Sequence, residues 1–139
     1  MIISELAEKT FHIVHEYKVT PEVYYSFQRC SDDYNPLHTD QVYAESKGFS
    51  GRVMYGNILN AFVSHFVGML LPTRDVMILT QDINYHKPVY MEDYLVLETS
   101  IEEISDAAGY IVYKLRFKKQ LGEGKSELVA NGHVRVGIL

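Results

Sequence analysis

The sequence of 139 residues lacks several features that would restrict its function at once. One cysteine, Cys30, excludes an internal disulfide and a zinc site built from several cysteines. Basic residues form no block, and 13 Lys and Arg against 18 Asp and Glu give a net charge of −5, so we expect no nucleic-acid partner. No apolar run reaches the ~20 residues of a membrane span, and the first residues resemble no secretory signal. We therefore expect a cytoplasmic protein without a membrane partner.

Two common site motifs are also missing. No glycine-rich phosphate loop precedes a helix, and no Gly-x-Ser-x-Gly elbow occurs. The histidines have no metal-ligand spacing with a third ligand nearby, so no metal is predicted. The composition that remains, 47% hydrophobic and 22% charged, is typical of a globular chain rather than a disordered one. The length fits one domain over residues 1–139.

The first half of the chain contains one strand and then helices. A β-branched and aromatic segment, 11–19, predicts a strand. Thr20-Pro21 is typical of a helix start, and helical spacing continues to about Cys30. A polar loop over 31–38 precedes a short helix that Gly48 ends. The segment before residue 11 is expected to be a loosely packed N-terminal lead. The longest helix is predicted over 55–71, with one face apolar, the other made of small residues, and both covered.

The second half of the chain changes to strands rich in Val, Ile, Leu and Tyr. They are predicted over 75–85, 94–104, 110–120 and 126–138. Short turns between long successive strands indicate antiparallel hairpins. The element order therefore predicts an α+β fold, an antiparallel sheet packed on one long helix. Sheet edges without a neighbour favour pairing with a second copy of the chain, so we expect a homodimer.

The densest group of reactive side chains lies between residues 31 and 40. Asp33 and His38 are a carboxylate and an imidazole on a segment restricted by Asn35-Pro36, which suits general acid–base chemistry. By spacing alone, a turn-capping Asp and an exposed His explain the pair better. Gly56 stands where the long helix opens, so its N–H either binds a substrate oxygen or its small size allows close packing. Ser64, two turns on, either reaches that site or bonds to its own helix.

These residues carry a family resemblance. The segment Ser31-Asp-Asp-Tyr-Asn-Pro-Leu-His-Thr-Asp40, followed by Val53-Met-Tyr-Gly56, resembles the hydratase-2 motif of the MaoC-like, (R)-specific enoyl-CoA hydratases. Lys87-Pro-Val-Tyr90 to Asp93 is similar to a second segment of that family. The resemblance implies the hot-dog fold, in which a curved antiparallel sheet wraps around one long central helix. It also implies a homodimer with sites near the interface.

The same resemblance implies an activity and a set of site residues. The activity is a hydro-lyase reaction, the reversible hydration of a trans-2-enoyl thioester to a (3R)-hydroxyacyl thioester. Asp33 and His38 would hold a water and move its protons, Gly56 N–H would bind the thioester oxygen, and Asn35 and Ser64 match a supporting Asn and a helix Ser. No cofactor is expected, because coenzyme A or the phosphopantetheine of an acyl-carrier protein belongs to the substrate.

Four positions depart from the family pattern. Tyr55 and Asn57 replace a His and a Met on either side of Gly56 and are expected to contact substrate, whereas Asp32 and Glu92 replace glycines. The polar residues Asn57, Asn60 and Tyr55 suggest a polar acyl group. Two alternatives remain: a hot-dog thioesterase, which would use a carboxylate or an Asn on the long helix, and a silent acyl-thioester-binding or assembly subunit. The Asp33–His38 pair favours hydration over both.

Overall fold

The computed structural model describes residues 1–139 and contains five helices, a π-helical segment and five strands. The helices are α1 (Ile3–Lys9), α2 (Pro21–Ser31), α3 (Pro36–Thr39), α4 (Gln41–Ser46) and α5 (Ile58–His65), and α5 continues into the π-helical segment Phe66–Leu70. The strands are β1 (His12–Lys18), β2 (Val76–Tyr85), β3 (Tyr94–Ser105), β4 (Tyr110–Gly122) and β5 (Lys125–Ile138). No helix is long and apolar enough to cross a membrane.

All five strands form one antiparallel sheet in the order β1-β3-β4-β5-β2. β1 and β2 are therefore the two edges of the sheet. One face of the sheet packs against α5, and both share a core with Ile58, Phe62, Leu97 and Phe117 among its buried members. This arrangement confirms the predicted α+β fold and all five predicted strands.

The helical half differs from the sequence expectations at four places. The lead is not loose, because α1 buries Ile3, Leu6 and Ala7 and contacts β3 and β4. The polar loop is interrupted by α3, so His38 lies on a helical turn rather than in a loop. The helix expected over 39–47 starts only at Gln41, since the Asp40 side chain caps it by accepting the Tyr43 N–H at 3.1 Å.

The long helix is the fourth difference. α5 begins at Ile58, and the turn before it is closed by the Ile58 N–H to Tyr55 carbonyl bond at 3.0 Å. The expectation that both of its faces are covered is wrong for the single chain, because Ala61 and Ser64 are exposed. Their face is covered by no other element, whereas the opposite face carries the apolar stripe that enters the core.

Candidate functional site

Asp33 lies between α2 and α3 in a segment held by local hydrogen bonds. α2 ends at Asp32, which takes the left-handed conformation with φ 56°. The Oδ1 atom of Asp33 accepts the Asn35 N–H at 3.0 Å, so the carboxylate closes a turn of its own backbone. The Oδ2 atom makes no hydrogen bond within the chain. The half-buried carboxylate therefore keeps one oxygen available to a bound molecule.

His38 lies on α3, whose first turn depends on Asn35. The Asn35 side chain accepts the Leu37 N–H at 3.0 Å, and Pro36 occupies the first helical position. The Nδ1 atom of His38 is 2.6 Å from the Val53 carbonyl oxygen. Because a carbonyl only accepts, Nδ1 carries the proton, and Nε2 of the neutral ring is an acceptor. Nε2 has no partner within the chain.

Tyr55 connects these two groups. Its hydroxyl donates to the backbone carbonyl of Asp33 at 2.5 Å, and its ring stacks on His38 with centroids 4.1 Å apart. The residue is 2% exposed, and burial together with the Asp33 carboxylate raises the pKa of its phenol. Tyr55 was expected to contact substrate, but its hydroxyl already bonds to Asp33.

Gly56 follows Tyr55 and lines a cleft of about 330 Å³. None of the hydrogen bonds within the chain uses its N–H, which is therefore free to bind another acceptor. The ring of Tyr85 lies over the glycine, and a Cβ at position 56 would be 2.9 Å from the Tyr85 Cε1 atom. Both readings of Gly56 thus have a physical basis, because the residue allows close packing and leaves a donor free.

The rest of the cleft is mostly apolar, with two basic side chains. The apolar lining includes Phe49, Val53, Met54, Leu59, Val89 and Val129. His86 and Lys87 supply the basic groups, and no acidic residue lines the cleft. His86 bonds through Nε2 to the Asn131 side chain at 2.5 Å, whereas Lys87 is exposed and forms no ion pair. In a chain of net charge −5, this cleft is therefore suited to an anionic group.

Gly56 is the one predicted site residue that lines this cleft: Asp33, His38 and Tyr55 are not part of its lining, and neither are Asn57 and Ser64. Asn57 is exposed and its Oδ1 accepts the Asn60 amide at 2.8 Å, while Asn60 in turn accepts from Gln81 on β2. Ser64 is exposed on the uncovered face of α5. With Tyr55 buried and both amides outside the cleft lining, the suggested polar acyl group has no structural support in this chain.

Sequence reasoning missed Tyr24 and Tyr85. Tyr24 is fully buried, and its hydroxyl contacts the carbonyls of His38 at 2.6 Å and Val53 at 3.2 Å. Burial raises the pKa of Tyr24 to about 12. The sequence showed Tyr24 only as a helical core position, and Tyr85 only as a strand end. The chain has no group of three or more His, Cys, Asp or Glu side chains arranged to hold a metal ion.

Comparison with known proteins identifies the family. The sequence profile described as "MaoC like domain" matches residues 3–120. The chain therefore belongs to the MaoC-like domain family. It is also similar to the solved structure titled "(R)-hydratase from A. caviae involved in PHA biosynthesis", with a TM-score of 0.81 at 22% identity over 92% of this chain and 94% of that one. This likeness establishes the hot-dog fold.

Named relatives are more distant in sequence. The "(R)-specific enoyl-CoA hydratase" of Aeromonas caviae is 27% identical over 81 residues, which are 58% of this chain and 60% of that protein. The mitochondrial "3-hydroxyacyl-[acyl-carrier-protein] dehydratase" of Arabidopsis thaliana is 25% identical over 107 residues, 75% of this chain and 60% of that protein. The matched part of the chain thus spans about 60% of the length of these relatives.

Proposed function

We propose that the chain is an acyl-thioester hydratase or dehydratase that interconverts a trans-2-enoyl thioester and a (3R)-3-hydroxyacyl thioester. One observation carries the proposal: Tyr55 joins Asp33 and His38 in a single cluster, and Gly56, the next residue, lines the cleft and has a free N–H. The names of the Aeromonas and Arabidopsis relatives support the reaction class.

The reaction needs one water and two proton movements. In the hydration direction the water oxygen attacks C3, while its proton passes to His38 Nε2 or to the Asp33 carboxylate. Electron density moves to the thioester oxygen, where the Gly56 N–H stabilises the developing negative charge. The protonated pair then gives a proton back to C2, so that hydroxide has added to C3 and a proton to C2, and the enzyme is regenerated. We propose that side chains and backbone suffice, with no cofactor besides the coenzyme A or phosphopantetheine of the substrate.

The basic side chains that line the cleft suit the coenzyme A or phosphopantetheine part of such a substrate. Coenzyme A and phosphopantetheine both carry phosphate, and Lys87 provides an ammonium group with no carboxylate near enough to neutralise it. His86 lines the same side. The apolar lining, including Leu59 and Val129, suits an alkyl chain rather than a polar acyl group.

The proposed working form is a homodimer. β2 is an edge strand whose Met77 and Leu79 are exposed, although both side chains are large and apolar. Ala61, Ser64 and Met69 are exposed on the adjoining helix. A second copy would cover this surface and bring Ser64 into an interface, which is where we propose that Ser64 acts. Location in the cytoplasm stays a prediction.

The two alternative readings gain less support. A thioesterase would need a carboxylate or an Asn on the long helix to position water, but the two candidates there, Asn57 and Asn60, are exposed or half-buried and bond to each other. A silent subunit would not need the free polar atoms of Asp33 and His38. Neither alternative explains why Asp33 and His38 both contact the buried side chain of Tyr55.

The test follows the loss of enoyl-thioester absorbance with crotonyl-CoA. We expect activity in the wild type and a fall in kcat of about 10²- to 10⁴-fold in Asp33→Ala and in His38→Ala. Asp106→Ala and His12→Ala, which change a turn residue and an exposed strand residue, are the matched controls and should keep full activity. A folded wild type without activity on crotonyl-CoA, on longer enoyl-CoAs and on the same enoyl groups attached to an acyl-carrier protein would overturn the proposal and favour the silent subunit.

A further inference from the structure

Tyr55 occupies an unusual place for a tyrosine, since its whole side chain is inside the protein and its polar tip serves a neighbouring segment. The ring is flanked by Tyr24 and Phe27, with centroids 5.3 and 5.1 Å away. Its other neighbour is the imidazole of His38, stacked at 25°. The hydroxyl bonds to the Asp33 carbonyl. One side chain therefore contacts both the imidazole-bearing turn and the carboxylate-bearing turn.

The contacts act on different degrees of freedom. The hydroxyl bond restrains the backbone of Asp33, whose carboxylate is already directed by its own bond to Asn35. The stacked ring restrains the plane of His38, while Val53 holds Nδ1. Because a buried tyrosine has only two side-chain torsions and is packed on several sides, neither contact can relax without disturbing the core.

We infer that Tyr55 is a positioning residue that sets the relative orientation of the Asp33 carboxylate and His38 Nε2. The kinetic consequence rests on the proposed hydratase function, whereas the structural consequence does not. The family pattern has a histidine at this place. A histidine ring is shorter than a phenol, so a tyrosine is needed for the bond from the tip to the Asp33 carbonyl, and this chain has its own way of coupling the two groups.

Two substitutions separate the hydroxyl from the ring. Tyr55→Phe removes the bond to Asp33 and keeps the stack on His38, whereas Tyr55→Leu removes both. The matched control is Tyr113→Phe, because Tyr113 is equally buried and its hydroxyl also makes one close bond, 2.6 Å to Thr10 Oγ1. Tyr113 packs on Phe66 and touches no residue of the site. A loss shared by Tyr55→Phe and Tyr113→Phe would reflect stability alone.

The kinetic readout is the division of the effect between kcat and KM. We expect Tyr55→Phe to lower kcat about tenfold with KM within about twofold, because misplaced groups slow the chemical step more than binding. Tyr55→Leu should lower kcat further, by about a hundredfold. Tyr113→Phe should leave kcat unchanged. A Tyr55→Phe enzyme with full kcat, or one in which only KM rises, would overturn the inference.

The second readout needs no activity. The ¹⁵N resonances of His38 report which ring nitrogen carries the proton, and the wild type should show the Nδ1–H form. Tyr55→Leu should give a mixture of both tautomers, because an imidazole without the stacked ring can turn away from the Val53 carbonyl that holds Nδ1–H. Tyr113→Phe should match the wild type. If the wild type were inactive but these spectra came out as expected, the proposed function would fail and the positioning role would stand. Identical His38 spectra in all three proteins would reject the positioning role.

Discussion

Nδ1 of His38 lies 2.6 Å from the carbonyl oxygen of Val53, and this one contact assigns the two ring nitrogens different tasks. Nδ1 holds the imidazole in place, and Nε2 is left to accept or donate a proton. The contact joins α3 to the segment that leads into Gly56, so the imidazole and the free N–H are fixed relative to one another. The same Val53 carbonyl is also contacted by the Tyr24 hydroxyl at 3.2 Å.

The Tyr24 hydroxyl therefore holds the helical turn that carries His38 against the segment that contains Val53. We expect Tyr24→Phe to lower the free energy of unfolding by about 1 kcal/mol, because a part-buried carbonyl of His38 loses its donor. The substitution should also lower kcat, with a smaller change in KM. Urea denaturation and crotonyl-CoA kinetics measure the two effects. Tyr25→Phe, at a partly exposed tyrosine whose hydroxyl bonds to Arg52, is the control, and an equal loss there would argue against a special role for Tyr24.

Gly56 offers a steric test of the carbonyl-binding site. A methyl group at position 56 would press on the Tyr85 ring and narrow the approach to the N–H, so Gly56→Ala should lower kcat/KM by at least about tenfold. Gly68→Ala is the control, because a Cβ there meets nothing within 4 Å. Alanine keeps the backbone N–H, so recovery of activity in Gly56→Ala combined with Tyr85→Ala would assign the loss to crowding against Tyr85. Full activity of Gly56→Ala alone would argue against a carbonyl-binding site at this N–H.

A substitution of Lys87 tests whether the cleft recognises the phosphate of coenzyme A. Lys87→Ala should raise KM for crotonyl-CoA severalfold, since an ammonium with no ion pair is removed from the cleft. The KM for crotonyl-N-acetylcysteamine, which has no phosphate, should not change. Lys125→Ala, at the exposed first residue of β5, is the control. Equal KM changes with both thioesters would exclude a phosphate contact.

A charged substitution on the edge strand β2 tests the proposed dimer. Leu79 is 46% exposed, and Leu79→Lys should convert the protein to a monomer because a buried, unpaired ammonium opposes pairing. Val14→Lys places the same charge on β1, the opposite edge, where the side chain is 53% exposed, and should leave the dimer intact. Light scattering coupled to size exclusion measures the mass of each. A monomeric wild type would reject the homodimer.

Glu92 occupies a backbone conformation that favours glycine. Its φ is 76°, at a position where the family pattern has glycine, and its carboxylate pairs with Lys18 at 2.9 Å on the surface. The left-handed conformation costs an ordinary residue about 1 kcal/mol, and an exposed ion pair returns less than that. Glu92→Gly should therefore stabilise the protein by several tenths of a kcal/mol or more in thermal unfolding.

The control for Glu92 is Glu92→Ala, which removes the ion pair and keeps a Cβ at the strained φ. Glu92→Ala should be neutral or slightly destabilising. Equal stabilities of the Gly and Ala variants would show that the backbone conformation is not the source of the effect.

Several elements could be predicted because their signals are local. Alternation and β-branched residues marked the strands, and Thr20-Pro21 marked the start of α2. The error at α1 has a local reason too: Ile3, Leu6 and Ala7 already had helical spacing, but seven residues are too few to be convincing without the β3 and β4 surfaces they contact. The start of α5 moved to Ile58 because the preceding residues form a turn.

The α+β order, the family and the candidates Asp33, His38 and Gly56 could be predicted from the amino-acid sequence, since strand patterns, caps and motif spacing are properties of neighbouring residues. The sequence could not determine what Tyr55 does, because the Asp33 carbonyl lies 22 positions away along the chain. Nor could it show that Asn57 and Ser64 are exposed, or that His86 and Lys87 share a cleft with Gly56. These relationships form only when segments distant in the sequence pack against each other, so they depend on the folded chain as a whole.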